Sequence, residues 1–98
     1  MAKISWTYEA ECWLQDIFDF ISLDNVDAAT RVIGEIYERA QILMRFPKIG
    51  HRYETIEDCE VRILLYGHYR IAYLIKPEDD IDILGVFHGS LDIQRYLI

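Results

Sequence analysis

The sequence predicts an α+β fold in which an antiparallel sheet packs on a helical hairpin, and three observations predict it. Apolar residues recur at helical spacing through the first half of the chain, as Ala10, Leu14, Ile17 and Ile21 and then as Ala29, Val32, Ile33, Ile36, Ala40 and Leu43. The period then changes to two, with Val61, Ile63 and Leu65 alternating with Arg62, Leu64 and Tyr66. Pro47 and Pro77 fall between periodic segments, where a missing N–H and a fixed φ end an element. Helices gathered ahead of strands in this way cover one face of the sheet.

Residues Lys3 to Trp6 read as a short opening strand, with Ile4 and Trp6 on one face. Thr7 follows as a helix N-cap, its hydroxyl placed to accept an early backbone N–H. Glu9 and Glu11 then suit the positive end of the helix dipole. The polar stretch Ser22 to Asp27 breaks that helix, and Asn25 caps a second one running to about Phe46. Asp27 with Arg31, and Glu35 with Arg39, form i,i+4 pairs on its wet face. Two helices with so short a break pack as an antiparallel hairpin.

Between the second helix and the next strand, His51 reads as a loop residue. A strand then ends near Tyr66, and Gly67-His68 is a two-residue link with glycine first, which suits a type II′ hairpin turn. Tyr69 to Lys76 is the next strand, Lys76 to Asp80 a loop and Ile81 to His88 the last strand. Leu91 to Ile98 reads as a short C-terminal helix capped by Ser90. The expected order is β-α-α-β-β-β with a helical tail, and the expected sheet has three or four strands.

Ninety-eight residues, 1–98, are expected to form a single domain. A hydrophobic fraction of 52% and a charged fraction of 28% permit a buried core and exclude a disordered chain. The longest aliphatic or aromatic run, Ile71 to Ile75, is far below the ~20 residues a membrane helix needs. With no basic start leading into an apolar stretch, the expectation is a cytoplasmic protein without membrane contact. Cys12 and Cys59 lack C-x-x-C spacing and do not make a disulfide framework. No pair among His51, His68 and His88 has metal-ligand spacing, so neither a metal nor a cofactor is expected. Seventeen acids against ten lysines and arginines give a net charge of −7, which opposes non-specific binding to nucleic acid.

One stretch runs against that balance. Arg39, Arg45, Lys48 and Arg52, with His51 among them, occur between residues 39 and 53 without an acid. Cations favour helix C-termini, and the same stretch would attract an acidic partner. Both readings stand at this level. Elsewhere Glu57, Asp58 and Glu60, and then Glu78, Asp79, Asp80 and Asp82, make two acidic patches that would repel RNA.

Four motifs occur in order along the chain: Phe46-Pro47-Lys48-Ile49-Gly50, Val61-Arg62, Tyr69-Arg70-Ile71-Ala72-Tyr73 and Val86-Phe87-His88-Gly89-Ser90-Leu91-Asp92-Ile93. In these residues and in its element order the chain resembles the RelE/ParE superfamily of toxins from toxin–antitoxin, or plasmid stabilisation, pairs. The strand ending in Phe87-His88, followed by Leu91-Asp92 and a helix, looks more like the ParE branch. The resemblance implies a toxin held inactive by a cognate antitoxin, with which it would form an oligomer. It implies one of two targets: DNA gyrase for a ParE-like member, or messenger RNA in the ribosomal A site for a RelE-like mRNA interferase. An inactive homologue that only binds antitoxin is the third expectation.

The site residues follow from these alternatives. RNA cleavage through the 2′-hydroxyl needs a base, an acid and a cation for the charged transition state. If the chain is a nuclease, Arg70 matches the strand arginine of RelE-like members and His88 the strand-end histidine of some of them. If the last two strands pair, the two side chains would share a sheet face. Arg70 equally suits a carboxylate, from Glu60 or from a partner, and His88 suits a structural hydrogen bond. Strong RelE-like nucleases carry several lysines on the central strands, whereas this chain has only three lysines in all. Arg45, Lys48, Arg52 and Arg62 are the expected partner-binding cations, and Tyr96 is expected to pack on the sheet.

Overall fold

The computed structural model describes residues 3–89. Its elements run β1 (Ile4–Trp6), α1 (Tyr8–Ser22), α2 (Val26–Ala40), a 3-10 turn over Gln41–Met44, β2 (His51–Ile56), β3 (Cys59–Tyr66), β4 (Tyr69–Ile75) and β5 (Ile81–His88). The strands form one sheet in the order β1-β5-β4-β3-β2. The α+β class is as expected, with two helices packed on a sheet. The expected C-terminal helix and Tyr96 lie outside the described residues.

Two features of the sheet differ from expectation. It has five strands, because His51–Ile56 pairs antiparallel with β3 instead of forming a loop. This edge strand is exposed or half-buried at all six positions, so it carries no apolar alternation. The sheet is also mixed, since β1 runs parallel to β5 with Ile4 opposite Ile81 and Trp6 opposite Ile83. That pairing joins the two ends of the chain across the whole helical hairpin, and nothing in the local pattern of Lys3 to Trp6 encodes it.

Both helix starts are as the sequence dictates. Thr7 Oγ1 accepts from Ala10 N at 3.2 Å and also donates to the Ile83 carbonyl at 2.7 Å, fixing α1 to β5. Asn25 Oδ1 accepts from Ala28 N at 3.0 Å. The second helix is shorter than expected. It tightens after Ala40 into the 3-10 turn, which buries Leu43 and leaves Arg45 and Phe46 outside any helix. The Glu35–Arg39 pair is replaced by two tertiary bonds. Glu35 accepts from the Tyr66 hydroxyl, and Arg39 Nε donates to the Leu65 carbonyl at 3.3 Å.

The main core lies between the helices and one sheet face, where Leu14, Ile36 and Leu43 meet Leu64, Ile71, Tyr73, Ile83 and Val86. A second cluster gathers Ile63, Ala72 and Phe87 on the other face, with Trp13 and Leu84 against it. Trp13 meets Phe87 edge-on with ring centroids 4.6 Å apart. Gly85 makes room for this, because a Cβ there would lie 2.6 Å from Phe87 Cζ. Among the described residues, no helix is long and apolar enough to cross a membrane.

The two tight hairpins contrast. Gly67 takes φ 55° in the β3–β4 turn, as its position in the expected turn requires. In the β2–β3 turn Glu57 holds φ 56°, a region that disfavours a residue with a long side chain. Glu57→Gly is therefore expected to raise stability by about 0.5 kcal/mol, relief of strain outweighing the added freedom of the unfolded chain. Urea unfolding beside Glu57→Ala checks this, since alanine keeps the strain and brings no gain.

Candidate functional site

Three of the four sequence motifs converge on one loop. Tyr73, fully buried on β4, donates from its hydroxyl to the Pro47 carbonyl at 2.7 Å and accepts from Gly50 N at 3.0 Å. Arg62 lies opposite Tyr73 in the β3–β4 register. Its guanidinium donates to the Lys48 carbonyl at 3.1 Å, the Gly50 carbonyl at 2.6 Å and Glu60 Oε2 at 2.6 Å. Gly50 is the only residue type that fits its place, since a Cβ would fall 2.7 Å from both the Ile63 carbonyl oxygen and Tyr73 Oη. Two side chains from the sheet thus hold the backbone of residues 47–50. Burial pushes the Tyr73 hydroxyl above its ordinary range, partly offset by the Gly50 N–H, and it remains a donor to Pro47.

The clamp sets the outward display. Phe46 and Ile49 are exposed and, with Pro47, Lys48 and Asp79, line a depression of about 540 Å³. Arg45, Lys48 and Arg52 are exposed beside it, and Arg52 also donates to Thr55 Oγ1 at 3.1 Å. Of the four expected partner-binding cations, Arg62 is the exception. Its donors are turned inward onto the loop and Glu60, so it shapes the surface rather than presenting charge on it.

Glu60 gives this clamp a pH dependence. The hydrogen bond from Arg62 holds its carboxyl below the ordinary value of 4.5, with Lys48 and Arg52 adding to the effect and desolvation opposing it. A carboxyl lowered on folding contributes stability that is complete above its unfolded pKa and lost as pH falls through the folded value. The stability difference between the parent and Glu60→Gln is therefore expected to be complete at about pH 6 and smaller at about pH 3. Urea midpoints at the two pH values measure it, and a difference unchanged by acid would contradict the assignment.

The expected catalytic pair sits at the other end of the sheet, and its members are on opposite faces. Residues directly opposite in a ladder project to the same side. Arg70 is opposite Phe87, in the second cluster, whereas His88 is opposite Tyr69, which packs on the helix side. The expectation of a shared face fails by one residue of register. Both nevertheless border a shallow depression of about 480 Å³ with Leu65, Gly67, His68, Tyr69 and Gly89. His68 was expected only as a turn residue. Its ring stacks near that of His88, centroids 6.2 Å apart, because Gly89 N bonds to the His68 carbonyl at 2.8 Å and holds the strand end against the turn.

The fold, a helical hairpin on one side of a five-stranded sheet, is shared with toxin–antitoxin structures. The chromosomal ParDE system from P. aeruginosa superposes with a TM-score of 0.72 at 20% identity, over 92% of this chain and 98% of that one. The archaeal RelE–RelB complex from Pyrococcus horikoshii OT3 gives 0.66 at 18% identity, over 93% and 98%. The RelBE2 complex from Mycobacterium tuberculosis gives 0.64 at 22% identity, over 89% and 96%. By sequence, the chain is 33% identical over 87 residues to Y4kP of Sinorhizobium fredii (strain NBRC 101917 / NGR234), itself named as a candidate toxin, covering 89% of this chain and 88% of that protein. Residues 4–93 match the ParE toxin of type II toxin–antitoxin systems, parDE. The chain belongs to that family, within the RelE/ParE superfamily of toxins.

Proposed function

We propose that the chain is a ParE-like toxin that inhibits DNA gyrase by protein contact and is neutralised by a cognate antitoxin. The β4–β5 register supports this reading most. A cleavage centre needs its cation and its proton carrier around one phosphate. Here Arg70 and His88 leave the sheet on opposite faces. The net charge of −7 also favours a protein over an RNA target.

The antitoxin would seat a disordered segment beside the clamped loop, with apolar anchors on Phe46 and Ile49 and acids facing Arg45, Lys48 and Arg52. Coexpression with an adjacent small reading frame is expected to yield a copurifying hetero-oligomer. Reversing the charge at Arg45, Lys48 and Arg52 together should slow association and flatten its salt dependence.

Purified chain added to a gyrase supercoiling assay is expected to inhibit it, and antitoxin to relieve the inhibition. Cut messages on programmed ribosomes, lost with Arg70→Ala at a cost of ~3 kcal/mol, would replace gyrase by the mRNA interferase reading. The depression bordered by both Arg70 and His88 is what favours that alternative.

A further inference from the structure

We infer that the outward face of α1 and the hairpin tip beyond it form a second docking surface, for a cationic protein surface with an apolar pocket. This rests on the protein-target reading and assigns the target a place away from the clamped loop. From Ile4 to Thr30 the chain carries six acids and no lysine or arginine. The exposed positions of α1 recur at helical spacing, placing Asp16 and Asp19 on one face with Tyr8 and Phe20. Tyr8 is 80% exposed, Phe20 77%, and Leu23 and Val26 at the tip 86% and 58%. Large apolar residues exposed singly are ordinary, but three within seven residues at one turn form a patch.

Only part of this charge is helix-end chemistry. Glu9 and Glu11 suit the N-terminal dipole of α1, as Asp27 suits that of α2. Asp19 lies in the last turn of α1, which has no basic residue, whereas Asp24 directly precedes the Asn25 cap of α2. An acid at Asp19 opposes the dipole of α1 and works against the fold. An acidic ring around exposed Phe20 and Leu23 complements a partner with the opposite arrangement, cations around an apolar pocket.

The test uses the full chain, its antitoxin and purified DNA gyrase as probe. Asp16→Lys/Asp19→Lys is expected to weaken gyrase binding by about 10- to 100-fold, mostly through slower association. The same variant should melt roughly 2–5 °C higher, because a cation in place of Asp19 suits the C-terminal end of α1. Binding and stability moving in opposite directions separate a docking role from a folding defect. Phe20→Ser/Leu23→Ser, which leaves the charges alone, should also weaken gyrase binding, while both variants still copurify with antitoxin. Unchanged gyrase binding in both variants would overturn the inference alone. Loss of antitoxin instead of gyrase would assign the face to the antitoxin and overturn it equally. A parent chain that does not bind gyrase would overturn the gyrase reading, and this surface with it.

Discussion

Phe87→Ala is expected to destabilise the chain by about 3–5 kcal/mol, the range for emptying a large aromatic from a closed core. Phe87 is almost wholly buried, and its ring is held edge-on to Trp13 above the bare α-carbon of Gly85. Neither neighbour can collapse into the vacated space. Gly85 has no side chain, and Trp13 is fixed by a helix that Thr7 ties to β5. In chemical denaturation the midpoint should fall with little change in slope. Phe87→Leu, which keeps most of the volume, should recover over half of the loss. A cost under about 1 kcal/mol for the alanine variant would mean that this second cluster contributes little to the fold.

The next largest effect is expected from a single oxygen atom. Tyr73→Phe removes the hydroxyl that bonds Pro47 and Gly50 and leaves a carbonyl and an N–H without it. Unpaired buried groups of this kind cost about 1–3 kcal/mol each, so a loss of roughly 2–4 kcal/mol is expected. The effect on the loop is separable from the effect on the fold. Hydrogen exchange should accelerate at Gly50 N well beyond the change at core amides of β4 and β5. Equal acceleration everywhere would show that the hydroxyl supports the whole sheet rather than the loop.

Most of the architecture was legible because the hydrophobic pattern specifies it. Both helices, both N-caps, the Gly67-His68 turn and the limits of Ile81–His88 follow from period and capping chemistry. His51–Ile56 was not legible, because an edge strand with no buried position has no apolar face to mark. The place of Ile4–Trp6 was hidden for another reason. Its partner lies some 77 positions away, and parallel pairing leaves no turn in the sequence.

The site was legible as residue types and not as geometry. The motifs around Pro47, Arg62 and Tyr73 mark the superfamily, yet here they are three parts of one hydrogen-bonded clamp. They specify how a loop is held rather than a reaction, so the same residues fit either branch of the superfamily. Arg62 shows the difference most directly. A cation in a list of cations suggests a partner, whereas the backbone carbonyls of Lys48 and Gly50 show what it binds. Arg70 and His88 depend on register, a property of two strands that neither strand carries alone.

The clamp has a consequence for the energetics of capture. A disordered segment that folds on its partner bears the full conformational entropy of its own ordering, commonly several kcal/mol. If the receiving loop had also to be ordered, that cost would be added to the first. Residues 47–50 are already fixed from within by Tyr73 and Arg62. In the seating proposed above, the receiving side is pre-organised, and only one of the two chains would lose freedom when they meet. Tight complexes with short peptide segments are then within reach of a surface containing little more than Phe46, Ile49 and a few cations.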